Sequence, residues 1–127
     1  MKKKIIITGG LGYIGTEICK LYSGVSWHHQ IIVIDNRFIS ERVNQIRSWN
    51  MEFIQGDILD KNLINKHFKD ADVVHHLAGI TDVPRTKSES SVNQDTKIKE
   101  VGETGTQNIL DSISNKCKII FPSTHVV

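Results

Sequence analysis

The sequence predicts a doubly wound, parallel α/β sheet of about five strands in the order 3-2-1-4-5, and three observations carry that reading. A β-branched run ending at Thr8 breaks into a glycine-rich turn, and a helical pattern begins at once. A second apolar run, Ile31 to Ile34, ends in Asp35, twenty residues after Gly15. Apolar runs and amphipathic stretches then alternate as far as Phe121, with no repeat, low-complexity tract or internal boundary. A chain of 127 residues with that pattern is one domain, residues 1–127.

Each element has its own signal. The first strand is Ile5-Ile6-Ile7-Thr8, and the helix after the turn takes Ile14, Ile18, Leu21, Tyr22 and Val25 as its apolar stripe. Ile31-Ile32-Val33-Ile34 reads as a buried parallel strand. Met51 to Gln55 is the third strand, followed by Gly56-Asp57 and a helix whose stripe is Leu63, Ile64 and Phe68. Asp72 to Gly79 holds the fourth strand and its exit, and the polar stretch from Thr81 to about Gln94 reads as a long loop. A long helix then runs to about Ile113 with Ile98, Val101, Ile109, Leu110 and Ile113 inward, and with Gly102 and Gly105 permitting close helix–sheet contact. Lys118 to Phe121 is the fifth strand, an exposed apolar edge that invites pairing with another copy and so a homo-oligomer.

The chemistry sits in the turns. Gly9, Gly12 and Gly15 satisfy one glycine spacing, and Gly10, Gly12 and Gly15 satisfy another. A strand, a tight turn and a helix start present bare backbone N–H groups to a phosphate. Taken alone the glycines fit an ordinary strand–helix turn equally well. Asp35 at the end of the next strand is placed to accept hydrogen bonds from a ribose, and the two together read as a dinucleotide site. A carboxylate there repels a 2′-phosphate, which favours NAD over NADP, while Arg37 is either a phosphate partner or a solvated loop residue. Ligands of such sheets bind beyond the carboxyl ends of the strands, which adds Asp57-Ile58, Leu77 to Thr81 and Ser123-Thr124 to the same edge.

Composition narrows the classes. Formal charge is +2 with the signs interspersed, and Lys2-Lys3-Lys4 reads as a solvated lead-in, so no nucleic-acid partner is expected. The apolar runs are too short to span a bilayer and no signal-peptide pattern opens the chain, which points to a cytoplasmic protein without membrane contact. Cys19 and Cys117 are expected as buried, reduced thiols. His75 and His76 are strand neighbours that point to opposite faces, and His28-His29 fall in a loop without nearby acids or thiols, so no metal is expected.

The ordered set Thr8-Gly9-Gly10-Leu11-Gly12-Tyr13-Ile14-Gly15, Asp35-Asn36, Gly56-Asp57-Ile58, His76-Leu77-Ala78-Gly79 and Gly105-Thr106-Gln107-Asn108-Ile109-Leu110 resembles the extended short-chain dehydrogenases/reductases. More narrowly it resembles their NAD-dependent sugar-nucleotide epimerase/dehydratase branch, over essentially the whole chain. The resemblance implies a Rossmann fold. It implies that the amides of Gly9, Gly12, Tyr13, Ile14 and Gly15 hold the pyrophosphate. Asp35 and Asn36 would contact the adenosine ribose, Asp57 and Ile58 the adenine, and Leu77, Ala78 and Gly79 the nicotinamide-side ribose. Thr124 would hydrogen-bond the substrate group undergoing hydride transfer, with a nucleotide sugar as the substrate of the full-length protein. Plainer readings stand beside two of these: Asp57 as the cap of the following turn, and Thr124 as a partner for a strand-end backbone group.

The family's catalytic tyrosine lies in a Tyr-x-x-x-Lys motif on a helix after the fifth strand. This sequence contains no such motif, and its tyrosines are Tyr13 and Tyr22. The expectation is therefore a cofactor-binding portion of an epimerase- or dehydratase-like oxidoreductase that binds NAD weakly and does not turn over by itself. The alternative is a non-catalytic dinucleotide-binding or sensor protein.

Overall fold

In a computed structural model, residues 2–78 and 92–122 are described, with side chains from 92 to 101 excepted. Five strands form one sheet in the order β3-β2-β1-β4-β5: β1 Lys4–Thr8, β2 Gln30–Asp35, β3 Glu52–Gln55, β4 Val73–His76 and β5 Lys118–Ile120. Every neighbouring pair is parallel. The helices between them are α1 Tyr13–Tyr22, α2 Ser40–Ser48, α3 Lys61–Phe68 and α4 Val92–Ser112. The predicted strand order is the one observed.

Strand pleating divides the isoleucines between two cores. Ile5, Ile7, Ile31 and Val33 face one side, where Cys19 of α1 and Val43 and Ile46 of α2 complete the cluster. Ile6, Ile32, Ile34 and Val74 face the other, packed on Ile64 and Phe68 of α3 and Ile109 of α4. Burial on both faces is why β1 and β2 read as continuous β-branched runs rather than alternating ones. Helix α3 keeps its expected stripe, and Asp60 caps it by accepting from Asn62 N–H and Leu63 N–H.

Several expectations are corrected. Of the stripe assigned to α1, Leu21 is 81% exposed, and Ile14 and Val25 are also exposed. The helix turns Gly15 and Cys19 inward instead, with Ile18 and Tyr22 beside them. A helix start pressed against its own glycine turn needs small inward residues, and small residues leave no mark in a hydrophobic pattern. In α4, Leu110 is exposed while Ile109 is buried, because the inward face runs through Gly105, Asn108 and Ile109. Ile98 and Val101 lie outside the described side chains. Among the described residues nothing lies within 4 Å of where a Gly102 Cβ would stand, and Gly105 approaches Ile58 rather than the sheet.

Smaller differences follow the same logic. Helix α4 begins at Val92, so the end of the predicted loop is helical, while residues 79–91 lie outside the described ones. Lys4 is no solvated lead-in: it opens β1, and its Nζ lies 2.5 Å from Asp70 Oδ1. Both cysteines are free thiols; Cys19 is buried, but Cys117 is only half-buried. Among the described residues no helix is long and apolar enough to cross a membrane.

Candidate dinucleotide site at the carboxyl edge

The glycine turn is built by close backbone approach. Gly9 has φ +69°, and a Cβ there would stand 2.8 Å from Ala78 N, so the turn rests directly on the exit of β4. A Cβ on Gly15 would lie 2.5 Å from Gly9 O and 2.6 Å from Gly10 Cα. The first turn of α1 is therefore as near the loop as backbone atoms allow. Gly9 N–H donates to Ile34 O at 2.7 Å and Gly12 N–H to Gly9 O at 3.1 Å. These two amides close the turn itself.

Gly12 is the N-cap of α1 and no side chain caps the helix. Thr16 N–H donates to Gly12 O at 2.9 Å. The amides of Tyr13, Ile14 and Gly15 precede that bond and project from the helix start, with the positive end of the helix dipole behind them. Tyr13 and Ile14 carry exposed side chains.

Asp35 is buried at 4% exposure, and both its oxygens are engaged. Oδ2 accepts from Leu11 N–H at 3.0 Å and from Arg37 Nη2 at 3.1 Å. Oδ1 accepts from Arg37 N–H at 2.9 Å and Arg37 Nε at 3.1 Å. Arg37 is thus no lone loop residue: the bend after β2 folds its fork onto the carboxylate. Arg42 of α2 donates from Nη1 to Leu11 O and lies over the Tyr13 ring, 5.5 Å from its centroid. The Leu11 peptide is therefore pinned at its N–H by Asp35 and at its C=O by Arg42. Asn36 beside them is exposed.

The third turn is held from α4. Asp57 Oδ1 accepts from Leu59 N–H at 2.9 Å, so Asp57 does cap its own turn. Its side chain is exposed, whereas Ile58 is buried against Gly105. Buried Asn108 donates from Nδ2 to Ile58 O at 2.9 Å. Gly105 and Asn108 thus set the height of the Asp57-Ile58 turn above the sheet. The sequence marks Gly105 for close contact with the sheet and Asn108 only within a motif; a Gly and an Asn three apart on one helix face is the signal that ties both to this turn.

The fourth turn hangs from Thr8. Leu77 N–H reaches both Thr8 O at 3.1 Å and Thr8 Oγ1 at 3.0 Å, and Ala78 N–H reaches Oγ1 at 3.1 Å. His76 is buried beside them, and burial lowers its pKa from the usual 6.5 to about 4. His75 points to the opposite face, where Nε2 meets Tyr22 Oη at 2.7 Å. Tyr22 is thereby held away from the turns, and burial raises its pKa. Gly79, Ser123 and Thr124 lie outside the described residues. Gly9 to Gly15, Asp35, Asn36, Asp57, Ile58, Leu77 and Ala78 all stand at the carboxyl end of the sheet, as the topology rule requires.

The family model described as the 3-beta hydroxysteroid dehydrogenase/isomerase family matches residues 6–127. The chain belongs to this family. Its curated relatives include a sugar-nucleotide decarboxylase, a dehydratase and epimerases. A UDP-N-acetyl-alpha-D-glucosaminuronate decarboxylase of Bacillus cytotoxicus is 35% identical over 129 aligned positions, covering 100% of this chain and 38% of that protein. A dTDP-D-glucose 4,6-dehydratase of Dictyostelium discoideum is 32% identical, covering 98% of this chain and 30% of its own. The dTDP-glucose 4,6-dehydratase of Streptomyces venezuelae, solved with NAD and TYD bound, superposes with a TM-score of 0.66 at 25% identity, over 86% of this chain and 35% of that one. The chain spans less than two-fifths of the length of these relatives.

Proposed function

We propose that this chain is the NAD-binding portion of an oxidoreductase that acts on nucleotide sugars by reversible hydride transfer. The observation that carries the reading is the uncapped N-terminus of α1, coupled to buried Asp35 through the Leu11 peptide. The amides of Tyr13, Ile14 and Gly15 fit a pyrophosphate, while Gly9 and Gly12 keep the turn closed beneath it. Asp35 and Asn36 take the adenosine ribose, with Arg37 yielding one carboxylate oxygen. The Asp57 side chain and the Ile58 backbone border the adenine. Leu77, Ala78 and Gly79 line the nicotinamide-side ribose. Bound NAD supplies the hydride acceptor and donor.

Thr124 orients the substrate group at the reacting carbon. The chain has no Tyr-x-x-x-Lys motif, and Tyr22 is engaged with His75 on the opposite face. We therefore assign binding and orientation, and no proton abstraction, to these 127 residues. The same observation favours the second reading, a dinucleotide-binding or sensor protein without turnover. The free thiols accord with a cytoplasmic setting.

Titration calorimetry of the 127-residue chain with NAD and NADP tests the assignment. NAD is expected to bind, more tightly than NADP, because Asp35 presents a carboxylate where a 2′-phosphate would sit. Tighter NADP binding overturns the cofactor choice, and no binding of either overturns the site. NAD-dependent epimerisation or dehydration by the chain would overturn the non-turnover reading.

A further inference from the structure

We propose that His76, held as the neutral Nε2–H tautomer, is a positioning residue that ties Thr106 of α4 to the Leu77–Ala78 backbone at the cofactor edge. The proposal rests on the NAD reading only for its consequence on affinity. Its geometry is independent. Thr8 Oγ1 faces two donors, Leu77 N–H at 3.0 Å and Ala78 N–H at 3.1 Å, which meet its lone pairs. A hydroxyl has a single proton, and among the described residues the remaining neighbour is His76 Nδ1 at 2.8 Å. Thr8 therefore donates, and Nδ1 accepts. The ring proton is left on Nε2, which lies 2.9 Å from Thr106 Oγ1 and donates to it.

The direction of every bond in this relay follows from the two amides. A proton on Nδ1 would point at an oxygen whose lone pairs are already taken, and one of the amide bonds would be lost. The Phe121 ring packs edge-on against the imidazole, 5.3 Å between centroids, which holds its plane. The relay starts on α4, one residue from Gly105, and ends at the backbone against which Gly9 rests. It thus couples the helix that sets the Asp57-Ile58 turn to the turn beneath the nicotinamide side.

Nitrogen NMR and amide hydrogen exchange on the 127-residue chain, with Thr106→Val and Thr106→Ser, test this. We expect His76 Nδ1 unprotonated and Nε2 protonated near neutral pH. Thr106→Val should speed exchange at Leu77 and Ala78 about five-fold and weaken NAD by a similar factor, with β2 amides unchanged. Thr106→Ser, which keeps the hydroxyl, should restore both. His76→Asn, which keeps an acceptor for Thr8 and loses Thr106, should behave as Thr106→Val if the latter folds poorly. A protonated Nδ1, unchanged exchange in Thr106→Val, or no rescue by serine overturns the proposal. Absence of NAD binding by the unaltered chain would sink the cofactor reading alone, since tautomer and exchange still decide the relay.

Discussion

Two glycine-to-alanine changes in helices should have opposite signs, and the difference comes from what each new methyl would meet. Gly15 lies in α1 and Gly102 in α4. Helix propensity favours alanine by about 1 kcal/mol at either position. At Gly102 nothing among the described residues lies within 4 Å of the new Cβ, so Gly102→Ala should stabilise the chain by about 0.5–1 kcal/mol. At Gly15 the Cβ would stand 2.5 Å from Gly9 O, 2.6 Å from Gly10 Cα and 2.8 Å from Gly10 C. All three are backbone atoms, and no rotamer can relieve them. The helix start must retreat by about 1 Å to reach ordinary contact distance. Overpacking of that kind costs about 1–3 kcal/mol and offsets the propensity gain, for a net loss of up to about 2 kcal/mol. The retreat also moves the Tyr13 and Ile14 amides from the proposed pyrophosphate position, which should weaken NAD about ten-fold or more. Urea unfolding and NAD titration of both variants measure these quantities. Gly15→Ala with unaltered stability and affinity would refute the reasoning, as would equal destabilisation by Gly102→Ala.

Two further outcomes follow from buried polar groups. Asn108→Ala leaves Ile58 O without its partner and should cost about 1–3 kcal/mol in urea unfolding; a loss below about 0.5 kcal/mol would mean that Asn108 does not hold the turn. Stability should fall on acidification between pH 6.5 and about 4, because His76 stays neutral in the folded chain while its unfolded counterpart takes a proton. The contribution is present in full above pH 6.5 and is lost as pH drops toward 4, on the order of 3 kcal/mol. Burial lowers the pKa of His75 in the same sense. Unfolding free energies at pH 7 and 4.5 for the unaltered chain and His76→Asn check the sign, and a flat profile in the unaltered chain contradicts it.

The sheet was legible because β-branched runs buried on both faces leave few alternatives to parallel strands. Strand order followed from the right-handed crossover rule and was observed as expected. The turn residues were legible for a related reason: glycine and aspartate mark places where backbone geometry or a fixed charge is required. The inward faces of α1 and α4 were legible only in part: Ile18, Tyr22, Ile109 and Ile113 pack inward as expected. Gly15, Cys19, Gly105 and Asn108 are small or polar, and Leu21 and Leu110, which a hydrophobic pattern turns inward, face out.

The sequence by itself determined the fold class and the edge on which the candidate site lies, because hydrophobic period and glycine spacing act locally along the chain. Tertiary structure alone decided how that edge is held together. Asp35 bonds Leu11 N–H and the Arg37 fork. Asn108 bonds Ile58 O, and His76 joins Thr8 to Thr106. Most of these partners lie 24 to 68 positions apart, and no local pattern records which distant donor fills which acceptor. Only the assembled sheet brings them within hydrogen-bond reach.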